Sequence, residues 1–191
     1  MNGRPDPVLV ALRRRPRIDF LPPDVRVHAG VDAPLPIGHG QTNSQPSTVA
    51  NMLRLLEVEH GQRVLDVGSG SGWTVALLGE LVGEEGRVVG VELVPELTRR
   101  AQEVLRLQDM PWVELRQALP GVMGIPEDGP YDRILVSAEA DELSGELLEQ
   151  LKEGGVMVIP VAGTMLRVEK VAGQPRITRH GLYRFVPLIS P

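Results

Sequence analysis

The sequence holds no cysteine in 191 residues. That one absence excludes disulfides, thiolate catalysis and cysteine-based zinc sites. Aromatic residues are scarce, at 3%, and the four histidines (His28, His39, His60 and His180) fall without HExxH or comparable spacing, so no metal site is expected. Neither a signal-peptide hydrophobic region nor an apolar run of membrane-spanning length is seen. A cytoplasmic protein with no membrane partner is the default expectation. An excess of positive charge is missing too. The formal net charge of -5 offers no long-range attraction to nucleic acid. The single basic run, Arg13, Arg14, Arg15 and Arg17, follows the apolar stretch Val8-Leu9-Val10-Ala11-Leu12 and reads as a solvated helix end favoured by the macrodipole.

What is present has ordinary globular proportions, 42% hydrophobic and 24% charged, at a length that suits one α/β domain. Short apolar runs predict buried strands at 63–68, 87–93, 112–115, 132–138 and 156–161. Helical spacing of apolar residues predicts helices over 71–82, 95–107 and 141–152, the last ending at the glycines of "KEGG". This alternation implies βαβ units: a mostly parallel twisted sheet with helices on both faces. Two further strands, 165–172 and 182–189 joined through "GQP", read as a C-terminal β-hairpin. A single domain is therefore expected, with 1–60 as a helical and loop cover, 61–162 as a cofactor-binding core and 163–191 as C-terminal strands.

The stretch "VLDVGSGSGWT" puts a glycine-rich turn after a strand and before a helix, where backbone N–H groups can approach a ligand and the helix start favours negative charge. The candidate ligand-binding residues there are Gly68, Ser69, Gly70, Ser71 and Gly72. Trp73 stands where the dinucleotide fingerprint needs its third glycine, which disfavours a nicotinamide oxidoreductase. Glu92, followed by Leu93, ends the second strand and could accept both hydroxyls of a ribose. Asp66 lies inside an apolar strand and must be satisfied by nearby donors or a cationic ligand. An acid before the turn and another after the second strand suit an adenosyl ligand with a positive amino-acid end, as in S-adenosylmethionine.

In order along the chain, "PLPIGHGQTNSQP", "RVLDVGSGSGW", "YDRILVSA", "LLEQLKEGG" and "RFVPL" resemble the protein-L-isoaspartate O-methyltransferase family, from about Asp6 to Leu188. The resemblance implies a Rossmann-like class I methyltransferase sheet with S-adenosylmethionine as donor. It also implies carboxyl methylation of isoaspartyl residues in damaged proteins, a repair function. Ser44 matches the residue treated as the family's active-site serine, and Gln41, Thr42 and Asn43 would line the same cavity. Asn43 stands where an aliphatic residue is usual. Pro46 begins a helix that Ser44 could also cap. His39 reads as a surface or loop-packing residue rather than a base.

Two positions depart from the family pattern. Leu119 aligns with an acid expected on the adenine, so one donor contact should be missing there. Glu139 stands among residues that are usually small; pointing inward it would repel an anionic acceptor, and pointing outward it would have no such effect. These departures keep an alternative open: a divergent member that binds S-adenosylmethionine but methylates another acceptor, or a weakly active sensor or interaction module.

Overall fold

The computed structural model describes residues 5–188. Helix α1 (Pro7–Arg14) leads through two 3-10 turns, Arg17–Phe20 and Pro23–His28, to a ribbon of β1 (Leu35–Gly38) and β2 (Gln41–Asn43), then to helix α2 (Pro46–Leu56). Strands and helices next alternate as β3 (Arg63–Val67), α3 (Trp73–Val82), β4 (Arg87–Glu92), α4 (Pro95–Arg106), β5 (Val113–Gln117), β6 (Tyr131–Val136) and α5 (Gly145–Gln150). Three consecutive strands, β7 (Leu151–Val161), β8 (Thr164–Val171) and β9 (Gln174–Leu182), follow. The seven-stranded sheet has the order β5-β4-β3-β6-β7-β8-β9. Strands β5 to β7 run parallel, and β8 and β9 are antiparallel.

The apolar strand runs are explained by burial on both faces. Val64, Val88, Leu135 and Val158 pack under α1, α2 and α3, whereas Leu65, Val89, Ile134 and Met157 face the opposite layer with Leu147 of α5. From β3 the chain winds outward through β4 to β5 and then returns to place β6 on the other side of β3. Such a reversal opens a crevice at the carboxyl ends of the two adjacent strands, here the ends of β3 and β6.

Three expectations need correction. The helix expected over 141–152 is only Gly145–Gln150. At its start, Ala140 is drawn into backbone bonds with Pro160 and Ala162, and Ser144 Oγ accepts from Leu147 N at 3.2 Å to begin the helix late. At its end, Lys170 Nζ donates to the carbonyls of Leu148 (2.9 Å) and Leu151 (2.8 Å), and "KEGG" belongs to β7. The hairpin closes earlier than expected, at Ala172 and Gly173, both with positive φ (51° and 74°), so "GQP" opens β9. "LYRFVPLI" is then mostly a return segment; its Ile189 lies outside the described residues.

The third correction concerns Arg17. It is 5% exposed, not solvated. Its Nε donates to Asn43 Oδ1 at 2.6 Å, Nη1 donates to the carbonyl of Val31, and Nη2 donates to the carbonyls of Ala33, Asn43 and Ser44. The guanidinium also lies 5.7 Å from the Trp73 ring centroid. Its neighbours keep a surface role: Arg14 and Arg15 pair with Glu80 at 2.5 and 3.0 Å. A planar fork with five donors can serve several carbonyls at once, and three of those it reaches, on Val31, Ala33 and Ser44, lie outside the short β1–β2 ladder.

Asp66, at the end of β3, is fully buried. Its carboxylate accepts from Thr74 Oγ1 of α3 at 2.5 Å and from Ser137 Oγ beyond β6 at 2.7 Å. Burial pushes its pKa up to about 6, against the opposing effect of the Thr74, Ser137 and Ser69 hydroxyls, and the nearby Glu92 charge adds to the rise. A carboxyl with a raised pKa holds its proton more tightly folded than unfolded. Its contribution to stability is therefore largest below pH ~4 and is lost as pH rises through about 6, by about 3 kcal/mol in all. In Asp66→Asn that loss disappears. Urea unfolding of both proteins should show the stability of the variant relative to the parent rising by about 3 kcal/mol between pH ~4 and pH ~7. A flat difference would mean that Asp66 titrates as an ordinary carboxylate.

Candidate functional site

At the carboxyl ends of β3, β4 and β6 lies a cleft enclosing about 640 Å³, part of it open to solvent. Val67, Val91, Leu93, Val94, Ala118 and Met123 give it mainly apolar walls, and Gln41 and Thr42 of β2 reach over it. Gly68 and Gly70 form its floor with φ of 75° and 53°, a region costly for residues with a Cβ. A Cβ at Gly68 would stand 3.3 Å from the Ala138 methyl group, and one at Gly70 would stand 3.2 Å from Ile37. The turn thus brings bare backbone to the cleft.

Its amides are used differently from the sequence expectation. Gly68 N and Ser69 N donate to the carbonyl of Val91, and Gly70 N donates to Glu92 Oε2 at 2.8 Å. The turn is stitched to the end of β4, and these three N–H groups are engaged within the protein. Glu92 is 6% exposed, and its other oxygen accepts from Val94 N at 2.8 Å. Both oxygens are therefore held in fixed positions at the cleft wall, each with further acceptor capacity.

A second, smaller cavity adjoins the first. It is lined by Thr42, Asn43, Ser44, Gly68, Ser69, Gly70, Ser71, Trp73, Thr74 and Ser137; of its six hydroxyl residues, Ser69, Thr74 and Ser137 donate to Asp66, which leaves Thr42, Ser44 and Ser71. Thr42, Gly68, Gly70 and Ser137 border both cavities. Ser44 is half-buried here, with its carbonyl held by Arg17 at 3.0 Å. It does not cap α2. The N-cap is Gln45, and Asp32 takes over the capping by accepting from Ser47 N at 2.9 Å and from Gln45 Nε2 at 3.0 Å. The Ser44 hydroxyl is thus free of helix duty.

The remaining expected residues are distributed unevenly. Asp66 lies beneath the floor, reaching the cavities only through Thr74 and Ser137. Ser69 is 5% exposed and donates to the carbonyl of Asp66, and a Cβ at Gly72 would meet Ala101 of α4, so both pack inward. Leu119 is 58% exposed and borders neither cavity; Ala118, Val122, Met123 and Gly124 form the wall where it was expected. That wall is shaped by Gln150, which accepts from Ile125 N at 2.9 Å and donates to the carbonyl of Met123 at 2.6 Å. His39 is exposed at the β1–β2 turn with φ 54°.

Glu139 resolves the alternatives left open by the sequence. Its carboxylate accepts from Phe185 N at 3.3 Å, and its backbone bonds to Val186 and Leu188. It anchors the return segment after β9, and Val186, Pro187 and Leu188 thereby become a wall of the main cleft. Sequence patterning missed this wall because it placed the segment in a strand. Val122 to Gly124 carried no signal beyond following a strand.

A family model described as "Protein-L-isoaspartate(D-aspartate) O-methyltransferase (PCMT)" matches residues 2–191. The chain is 46% identical over 192 residues to the protein-L-isoaspartate O-methyltransferase of Methanopyrus kandleri, covering 98% of this chain and 85% of that one. It is 44% identical to the protein of the same name from Myxococcus xanthus, covering 95% and 87%. Among solved structures, a Plasmodium falciparum protein-L-isoaspartate O-methyltransferase in complex with S-adenosyl-L-homocysteine superposes with a TM-score of 0.85 at 25% identity, over 100% of this chain and 93% of that one. No helix among the described residues is long and apolar enough to cross a membrane. The chain belongs to the protein-L-isoaspartate(D-aspartate) O-methyltransferase family.

Proposed function

We infer that this protein is an S-adenosylmethionine-dependent carboxyl O-methyltransferase that acts on L-isoaspartyl residues of damaged proteins. Family membership supplies the reaction class. The observation that carries the assignment to this site is the shared border of the two cavities at Thr42, Gly68, Gly70 and Ser137. One cavity suits a mostly apolar ligand with a ribose against a fixed carboxylate. The other suits a small anion that needs hydroxyl donors.

The residues present fit the donor. Glu92 offers two immobilised acceptor oxygens to vicinal hydroxyls, and the positive φ of Gly68 and Gly70 folds the turn tightly along the cleft they line. When bound, S-adenosylmethionine would supply an electrophilic methyl group: an acceptor carboxylate oxygen in line with the S–CH3 bond would take the methyl carbon as that bond breaks, and neutral S-adenosylhomocysteine would leave. An aspartyl-type carboxyl titrates near ~4, so the nucleophile is already ionised at neutral pH and no general base is needed. Ser44 donates to one carboxylate oxygen and leaves the other to react. Thr42 and Ser71 offer further hydroxyls to replace part of the water shell of the carboxylate, those of Ser69, Thr74 and Ser137 being donated to Asp66. Holding the two reactants in line can lower such a barrier by roughly 7–11 kcal/mol in favourable systems.

The sensor alternative rested on Leu119 and Glu139. Leu119 is exposed, the Glu139 carboxylate accepts from the Phe185 amide, and neither residue lines either cavity, which favours the enzyme reading.

Transfer of a labelled methyl group should favour a peptide with one isoaspartyl residue over its aspartyl twin, and the label should be base-labile. No transfer with donor saturating and protein folded would overturn the assignment. Ser44→Ala should lower kcat by about tenfold to a hundredfold, the worth of a hydrogen bond to a charged group, and leave affinity for S-adenosylhomocysteine within about twofold. Unchanged turnover would remove Ser44 from the reaction. Glu92→Gln should show the converse, with calorimetric Kd for S-adenosylhomocysteine raised about tenfold or more. Retained affinity would place the ribose elsewhere.

A further inference from the structure

We propose that Asn43 is a positioning residue that couples the Ser44 loop to the glycine-rich turn, an inference that rests on the methyltransferase reading above. Asn43 is 4% exposed, and its side chain bridges the buried Arg17 and the half-buried Ser71. Its Oδ1 accepts from Arg17 Nε at 2.6 Å, and its Nδ2 donates to Ser71 Oγ at 2.8 Å. Among the described residues this last bond is the one hydrogen bond joining residues 34–46 to residues 68–72. The guanidinium that holds Asn43 Oδ1 also holds the carbonyls of Asn43 and Ser44, at 2.8 and 3.0 Å. Ser44 therefore sits on a backbone clamped from one side by Arg17 and referenced from the other to the turn.

An amide is suited to this place because it presents an acceptor to the cation and a donor to the hydroxyl. Leucine fills similar space but removes the Ser71 contact and leaves the buried Arg17 Nε without its partner. Aspartate keeps the bridge. It accepts from Arg17, and the Ser71 hydroxyl rotates to donate to its second oxygen. In-line displacement depends on the relative placement of acceptor and donor, so a lost bridge should act on kcat more than on the binding of either ligand.

The test is a double-mutant cycle on isoaspartyl-peptide methylation, with calorimetric S-adenosylhomocysteine binding as the parallel readout. Asn43→Leu should lower kcat about tenfold with Kd within about threefold, and Ser71→Ala should lower it about fivefold. The double variant should be no worse than Asn43→Leu alone, and Asn43→Asp should stay within about threefold of the parent. Additive losses, parental kcat in Asn43→Leu, or Asn43→Asp as impaired as Asn43→Leu would each overturn the proposal. Should Asn43→Leu fail to fold, Ser71→Ala decides: parental kcat in that variant would overturn it. A parent that binds S-adenosylhomocysteine yet leaves the isoaspartyl peptide unmethylated overturns the functional reading before any variant is compared.

Discussion

A single buried cation holds the upper half of the site in place. The segment from Val31 to Ser44 has only the three-residue β2 and its partner β1 as regular structure, so many of its carbonyls have no ladder to join. Arg17 supplies donors to four of them and to one side-chain amide. Burying a guanidinium is costly unless its hydrogen bonds are met. Here each of its nitrogens is engaged, with the face of Trp73 beside it. Trp73 is in turn fixed by its indole N–H, which donates to the carbonyl of Arg15 at 2.9 Å. The cover and the first helix of the core are thus fastened at one point.

The floor of the site is organised by two carboxylates treated in opposite ways. Asp66 is sealed under the turn, where hydroxyls from α3 and from the end of β6 only partly offset the loss of water. Glu92 stands at the edge of the cleft and is held by backbone amides on either side. The difference follows from depth. Asp66 ties three elements together at a cost that depends on its protonation, whereas Glu92 fixes the turn and still faces a cavity.

The strands and the first two core helices were legible because one physical rule, burial on both faces, governs them. The carboxyl-end residues Gly68, Gly70 and Glu92 were legible for a related reason: strand ends at a reversal point are where an α/β sheet exposes polar chemistry. Arg17 was not, because four arginines in a row of five residues carry the same local pattern and only the absence of strand partners in a distant loop separates one from the rest. Glu139 was undecidable for a similar reason. Its direction depends on a segment more than forty residues later, whose own alternation resembled a strand. Leu119 shows the limit of transferring a position by likeness: the loop after β5 turns it outward, and Gln150 sets the wall through Met123 and Ile125 instead.

The cleft is therefore assembled from pieces that no local signal joins. Its floor comes from residues 68–70, its roof from residues 41–44 and one wall from residues 186–188, each held by a different anchor: Glu92, Arg17 and Glu139. In each case the side chain of the anchor reaches across to a different segment of the chain. The sheet fixes where the floor lies, but the distances between floor, roof and wall are set by these polar contacts, most of them through a charged side chain. A reaction that needs two reactants in line is sensitive to such distances at the sub-ångström level. Substitutions at the anchors should accordingly separate turnover from stability more cleanly than substitutions in the apolar core, where packing and geometry change together.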